Sequence, residues 1–374
     1  MRYKVDKSLI TFSRRFKEAG YNCYLVGGAV RNLYAGRDVS DYDFATDAEP
    51  DKVIKLFQKV IPTGIKHGTV TVLYRGHKLE VTTFRQDGKY TDSRRPDNVQ
   101  FTPSIYEDLK RRDFTINSMA YDLLSGELFD PHGGKKDLQS KIIRAIGNPS
   151  ERFDEDPLRI MRACRFSAQL EFVIEKSTLK GMKEKASKLK AVSAERIRGE
   201  LEKILMAEKP STAFKVMEET GVMQVTLPEL ASCRGVSQKG FHDYDVLDHL
   251  LYSCDGAPSG NMEVRMAALL HDIGKPAAAA HDEIGIPTFY GHEMVSASIG
   301  RKIIQRFKFP RAFERHVVML IQNHMFNYQS EWTDSAVRRF ISKTGAANIS
   351  DLFTLRRADQ FGMGQTKIDS AYLT

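Results

Sequence analysis

The sequence predicts an α+β chain, with a mixed sheet-and-helix head followed by a long helical remainder. Three observations carry this expectation. Strand-like runs, "CYLVGG", "YDFAT" and "GTVTVLYRGHKLEVTTF", crowd into the first 145 residues. Beyond them, apolar residues recur at helical spacing to the end of the sequence. A length of 374 residues also exceeds what one compact core usually covers, so two or more domains are expected.

Taken in order, residues 7–19 read as a helix, with Leu9, Ile10, Phe12, Phe16 and Ala19 near helical spacing. A second helix is expected over about 49–59, begun by Pro50 in its first turn. The long strand-like run reads as a hairpin turning at Arg75-Gly76, and Gly88 to Arg95 reads as a polar, mobile loop. Ser193 is placed to cap the helix "AERIRGELEKILMA". A break in periodicity at 231–245 marks a further boundary. The expected domains are a head over 1–145, a helical neck and body over 146–235, and a helical domain over 236–374.

Composition narrows the class. With 41% hydrophobic and 28% charged residues, the chain has the make-up of a soluble protein. Its net charge of +8 suits a polyanion such as RNA without requiring one. Cys23, Cys164, Cys233 and Cys254 form no C-x-x-C pair, which disfavours a disulfide framework and fits a reducing cytosol. The charged start "MRYKVDKSLITFSRRF" has no signal-peptide core, and no apolar run reaches membrane-span length. A cytoplasmic protein with no membrane partner is expected; oligomeric state is not legible.

The chemistry begins at "YLVGGAVRNLYAGRDVSDYDFAT". In a strand, residues i and i+2 share a face, so Asp41 and Asp43 project together. Paired carboxylates repel unless a cation lies between them, and Mg²⁺, a hard ion that bridges to phosphates, meets that need. An isolated D-x-D is more often a solvated turn, and G-G alone more often marks only a turn. Here Gly27 and Gly28 let the backbone approach a phosphate, and Arg31 stands one turn into the following helix to add a charged contact.

With "LVGGAVRN", "DYDFAT" and "EVTTFR", this region resembles the head of the class II nucleotidyltransferases, the family of tRNA CCA-adding enzymes and bacterial poly(A) polymerases. The resemblance implies a polymerase-β-like head and Mg²⁺-dependent nucleotidyl transfer at Asp41 and Asp43. It also implies that Gly28, Arg31 and Arg112 hold the triphosphate. Asn32 departs from the family's usual Asp, keeping hydrogen-bonding capacity but not charge. "EDLKRRDFTINSMAYD" resembles the next motif, in which Asp113 and Asn117 organise the site; the basic run Lys110 to Arg112 leads into an apolar, helix-like segment. Glu80 is either a further acid or a structural ion-pair partner.

"RFDEDPLRIMRACRF" places Asp156 and Arg159 at i, i+3, with Arg162 and Arg165 continuing the spacing, as on one helix face. Such a pair is commonly a surface salt bridge. In the family, E-D-x-x-R reads the base, and Glu155, Asp156 and Arg159 fill it; Arg162 and Arg165 are expected to support phosphate or template. A carboxylate accepts from the exocyclic amine of C or A and a guanidinium donates to ring acceptors, whereas G and U leave buried polar atoms unpaired. CTP and ATP are therefore the expected nucleotides, and the tRNA 3′ end and acceptor arm the expected acceptor.

The segment "IPTGIKHGTVTV" is similar to the CCA-adding type rather than the more basic poly(A) polymerase type. "QDGKYTDSRRPDNVQF" resembles the loop associated with switching from C to A addition, which disfavours a CC-only enzyme. An A-adding enzyme or a poly(A) polymerase remains the alternative.

Of ten histidines, several cluster late in the chain. "ALLHDIGKP" ends a helix with adjacent His271 and Asp272. With His249 and Asp359 this resembles the ligand set of the HD phosphohydrolases, His292 and His324 standing as auxiliary ligands. A lone His in a helical domain is more often a packed or surface residue than a ligand, but six matching positions argue against that for the set. The resemblance implies a second divalent metal, Mn, Ni, Fe or Mg, and phosphohydrolase or phosphodiesterase chemistry on RNA ends, which is also a rival for the main activity. Relatives with this domain often continue past the point where "KIDSAYLT" ends, so a shortened tail or a longer parent chain is expected.

Overall fold

The computed structural model describes residues 5–39, 41–87, 99–238, 244–283, 287–326 and 332–364. The polar loop at 88–95, the last ten positions and the centre of the 231–245 break lie outside them. The chain divides into two compact units, residues 1–159 with 172–182, and residues 160–171 with 183–374.

In the first unit the helix α1 (Lys7–Glu18) precedes strand β1 (Cys23–Val26), helix α2 (Gly28–Tyr34) and strand β2 (Tyr42–Thr46). Then come α3 (Pro50–Leu56), β3 (Val60–Gly64), β4 (Thr69–Tyr74) and β5 (His77–Thr83). The short pair β6 (Arg85–Asp87) and β7 (Val99–Phe101) stands apart. It is followed by α4 (Ile105–Lys110), β8 (Ala120–Tyr121), β9 (Leu128–Phe129) and α5 (Gly134–Gln139).

One seven-stranded sheet runs β3-β4-β5-β2-β1-β8-β9. Only β2 and β5 pair in parallel within it; the other neighbours are antiparallel. Phe12 of α1 packs against Phe44 of β2 and Phe57, with ring centroids 4.9 and 4.8 Å apart, and this aromatic seam holds α1 to the sheet. The hairpin turns at Arg75-Gly76 as expected, both with positive φ.

Two local expectations change. The helix begun by Pro50 stops at Leu56, and β3 follows as a strand the sequence reading missed. It contains Pro62, which cannot donate to a ladder, and accordingly β3 lies at the sheet edge. The segment after Arg112 is not helical beyond a 3-10 turn over Thr115–Asn117, yet it is buried from Asp113 to Tyr121.

Past the head, α6 (Pro149–Glu155) and α7 (Leu158–Leu170) follow the short strand β10 (Ile142–Ile143), which pairs with β11 (Val173–Ile174). Next come α8 (Lys176–Lys185), α9 (Ala194–Leu205), α10 (Pro210–Glu219), α11 (Val222–Thr226) and α12 (Pro228–Ala231). Ser193 occupies the N-cap of α9 but makes no side-chain capping bond. The last part is helical, with α13 (Val246–Gly256), α14 (Met262–Leu270), α15 (Lys275–Ala278), α16 (His292–Arg306), α17 (Arg311–Gln322), α18 (Asp334–Thr344) and α19 (Ile349–Gly362). Its core includes Arg265, 2% exposed, which donates to the carbonyls of Ala257, Leu205 and Ala207 and so ties α14 to the ends of α13 and α9. Among the described residues no helix is long and apolar enough to cross a membrane.

Candidate active site and metal centre

The chain leaves β1 through Gly27, whose φ of 66° suits glycine and starts α2. A Cβ there would lie 3.1 Å from Nη1 of Arg112 and 3.9 Å from Oδ2 of Asp43. Gly27 therefore leaves the gap in which a cation-bearing side chain and a carboxylate face the same backbone. Its N–H points to the carbonyl of Met119 at 3.4 Å, so Gly28, opening α2, is the better placed anion donor.

Asp43 lies in β2, and its register partner across the parallel ladder is Glu80 of β5. Asp41 stands one residue ahead of the strand and is exposed. Burial, followed by Glu80, pushes the Asp43 carboxyl above its ordinary range; the Arg112 charge opposes this and Asp41 adds to it. Neighbouring negative charge of this kind is what a divalent cation relieves, and the oxygen-only donor set fits Mg²⁺.

Arg31 is held from two sides. Its Nε and Nη2 donate to Oδ1 of Asn32 at 3.2 and 3.1 Å, and its Nη1 donates to Oδ1 of Asn117 at 2.6 Å. Asn117 is oriented in turn by Asp113, which accepts from its Nδ2 at 3.0 Å. The uncharged Asn32 thus serves as the acceptor that fixes Arg31.

Asp156 and Arg159 do not share a helix. Pro157 cannot supply a helical N–H and disfavours a helical residue before it, so α6 ends at Glu155 and Asp156 is extended (φ −144°, ψ 98°). The Asp156 carboxylate instead accepts from the N–H of Leu158 at 3.1 Å, capping α7. Arg159 pairs with Glu155 at 2.6 Å and donates to the carbonyls of Arg152 and Arg111. Arg152 shares the same Glu155 oxygen and holds the carbonyl of Lys110. Arg165, in α7, pairs with Glu200 of α9 at 3.2 Å and lies over the Phe166 ring, both charged groups buried. Arg162 reaches the same ring. Leu158, Met161 and Cys164 are buried as the spacing predicts.

Sequence reasoning passed over Asp108, a fully buried carboxylate that pairs with both Arg111 and Arg112. Its i+3 and i+4 spacing to two arginines in "EDLKRRD" was the available signal.

The second cluster lies in the helical unit. His249 of α13, His271 and Asp272 after α14, and Asp359 of α19 converge: Nε2 of His249 lies 3.1 Å from Nε2 of His271 and 3.3 Å from both Oδ2 of Asp272 and Oδ1 of Asp359. Gly362 permits this approach of α19 to α13, since a Cβ there would fall 2.0 Å from the Ser253 hydroxyl. The other Asp272 oxygen faces Nε2 of His292 at 2.9 Å and of His324 at 3.6 Å. Asp272 therefore joins two ligand triads, one through each oxygen. Lys275, also missed in the sequence, sits 2.5 Å from Asp272.

His271, His292 and His324 each direct Nδ1 at a main-chain carbonyl, at 2.7–2.8 Å. Those bonds place the proton on Nδ1 and leave Nε2 as a lone pair aimed inward. Lone pairs and carboxylates meeting in a buried centre fit divalent metals with imidazole and oxygen ligands.

Three family models match parts of the chain. The poly A polymerase head domain family matches residues 23–144, the family described as a probable RNA and SrmB-binding site of polymerase A matches residues 171–234, and the HD domain family matches residues 250–364. The CCA-adding enzyme of Limosilactobacillus reuteri (strain DSM 20016) is 48% identical over 211 residues, covering 56% of this chain and 52% of that enzyme. The CCA-adding enzyme of Bacillus velezensis is 42% identical over 260 residues, covering 69% and 62%. The crystal structure of the Bacillus stearothermophilus CCA-adding enzyme in complex with CTP superposes with a TM-score of 0.73 at 29% identity, over 94% of this chain and 77% of that one. The chain spans about half to three-fifths of the length of the curated relatives it matches.

Proposed function

We infer that this chain, which belongs to the nucleotidyltransferase family built on the poly A polymerase head, adds CCA to tRNA 3′ ends from CTP and ATP without a nucleic-acid template. One observation carries the reading. Arg159, at the base-reading motif, donates to the carbonyl of Arg111, and the next residue, Arg112, faces Gly27 and Asp43. Base selection and triphosphate binding are thus joined through one short stretch of backbone.

Asp41 and Asp43, with Glu80 beside them, would hold Mg²⁺, which when bound neutralises the triphosphate and eases loss of the attacking hydroxyl's proton. Gly28, Arg31 and Arg112 bind the phosphate oxygens. The tRNA 3′ hydroxyl attacks the α-phosphorus in line, and the bond to pyrophosphate breaks. Asp156 and Arg159 pair with the edge of C or A, while Glu155 sets the direction of Arg159. Arg165, paired with Glu200, supports α7 against α9.

Residues 1–145 form the catalytic head, 146–235 the neck and body that meet RNA, and 236–374 an HD-type domain. In the last, His249, His271, Asp272 and Asp359 would hold a divalent metal, with His292 and His324 as further ligands on the other oxygen of Asp272. The two triads on Asp272 favour a second activity, hydrolysis of phosphate esters at RNA ends. A cytoplasmic setting supplies both tRNA and nucleotides.

The test uses tRNA transcripts ending at the discriminator base, at C or at CC, with Mg²⁺ and CTP, ATP or both, sized at single-nucleotide resolution. Three additions stopping at CCA are expected. A single A on the CC-ended tRNA alone would make this an A-adding enzyme, and a long A ladder a poly(A) polymerase.

A further inference from the structure

We propose that Asp108 is a positioning residue that reserves Arg112 for the incoming triphosphate and keeps it off the metal-binding carboxylates. The proposal rests on the nucleotidyl-transfer reading above.

Asp108 sits in α4, fully buried. Its Oδ1 accepts from Nε and Nη2 of Arg111 at 2.9 and 2.7 Å. Its Oδ2 accepts from Nη2 of Arg112 at 3.0 Å. Burial acts to raise the carboxyl's pKa, but the two arginines, Arg112 first, prevail and hold it below its ordinary range. Both Arg111 donors fall on Oδ1, so among the described residues Oδ2 of this buried carboxylate is satisfied by Arg112 alone, and the bond fixes Nη2 of Arg112 in return.

Arg112 binds little else. Its Nε is buried without a hydrogen-bond partner, and its Nη1 faces Gly27 with no acceptor among the described residues. The Asp43 carboxylate likewise has no hydrogen bond or ion pair among them, although the Arg112 charge reaches it. An arginine beside a carboxylate would ordinarily close onto it as a salt bridge, displacing any cation from that oxygen. With Nη2 fixed by Asp108, the guanidinium stays one glycine away and presents its remaining donors to an anion.

The test is steady-state kinetics on the full chain, with CTP and a tRNA transcript ending at the discriminator base. Asp108→Asn keeps the shape and removes the charge. It is expected to raise KM for CTP about tenfold, the loss of one charge-assisted contact, with kcat within about threefold. The Mg²⁺ concentration for half-maximal rate should rise, because Arg112 then competes for Asp43. ATP addition to a CC-ended tRNA should suffer equally, since the phosphates are common to both nucleotides. On an Arg112→Ala background, Asp108→Asn should add nothing further.

Asp108→Glu, which keeps the charge but moves it by one methylene, is the second variant should the Asn form not fold. It too should raise KM. A lowered Tm with unchanged KM and unchanged Mg²⁺ dependence in either folded variant would overturn the proposal while nucleotidyl transfer stands. Additive losses with Arg112→Ala would also overturn it. An unaltered protein that extends no tRNA would overturn both this proposal and the reading beneath it.

Discussion

Asp43 and Glu80 stand opposite each other in the parallel pairing of β2 and β5, two carboxylates in register on the central strands of the sheet. A sheet built for stability alone would not place like charges there.

This pairing makes a stability prediction with a definite sign. Burial and Glu80 raise the Asp43 pKa on folding, so the protonated form stabilises the fold. Stability from this group is gained as pH falls through the raised value and lost as pH rises. In chelator at neutral pH, Asp43→Asn should therefore melt above the unaltered protein. Added Mg²⁺ should stabilise the unaltered protein and not the variant, and nucleotide transfer should drop by about 10³-fold or more. Calorimetry with and without Mg²⁺ checks this, and equal Mg²⁺ stabilisation of both would remove Asp43 from the metal site.

Arg31 yields a second prediction. Asn117 and Asn32 hold it without contributing charge. Asn117→Ala should raise KM for both CTP and ATP about tenfold, with kcat little changed, because a misdirected guanidinium weakens ground-state phosphate binding. Asn32→Asp retains the acceptor and should stay within about threefold of the unaltered enzyme, whereas Asn32→Leu should behave like Asn117→Ala. Steady-state kinetics on all three variants decides it; a severe defect in Asn32→Asp would show that the missing charge matters.

Local features were legible because they repeat at short range. The strand carrying Asp43, the hairpin at Arg75-Gly76 and the His271-Asp272 helix end all declare themselves within a few residues. Glu80 stood out as a candidate acid, but its register opposite Asp43 did not, since the pairing of β2 with β5 joins strands separated by two others in the chain. Strand β3 escaped because Val60-Ile61 is too short, and too soon broken by Pro62, to show a period of two. The break at Asp156 was readable from Pro157, but an i, i+3 count assumes an unbroken helix and hides it.

That break gives Asp156 a capping role beside its proposed reading role, which leads to the third prediction. One carboxylate oxygen caps α7 through Leu158, so the side chain stabilises a helix besides the base-reading role proposed for it. Asp156→Ala should lose both roles, with about 1 kcal/mol of stability from the cap. It should also lose at least about tenfold in discrimination for C and A over U and G. Asp156→Ser should restore the cap without the carboxylate, recovering melting temperature but not selectivity. Recovery of selectivity in the Ser variant would show that Asp156 acts only through the helix.

The HD-type centre gives the fourth prediction, from the two oxygens of Asp272. Because each oxygen serves a separate triad, Asp272→Ala should abolish bound metal altogether. His324→Ala should weaken only the triad with His292 and leave the one with His249 and His271. In metal-free protein, burial works against charging His249, yet Asp272 and Asp359 prevail and hold it at about 9, above its ordinary 6.5. Stability from that proton is present below about 6.5 and is lost as pH rises toward 9. Metal needs the neutral imidazole, so metal affinity should climb over the same window in which chelated protein loses stability. Metal-to-protein ratios across pH, paired with melting of chelated samples, read both trends. Metal content unchanged in Asp272→Ala would place the ion elsewhere, and a flat affinity from pH 6.5 to 9 would mean His249 is not a ligand.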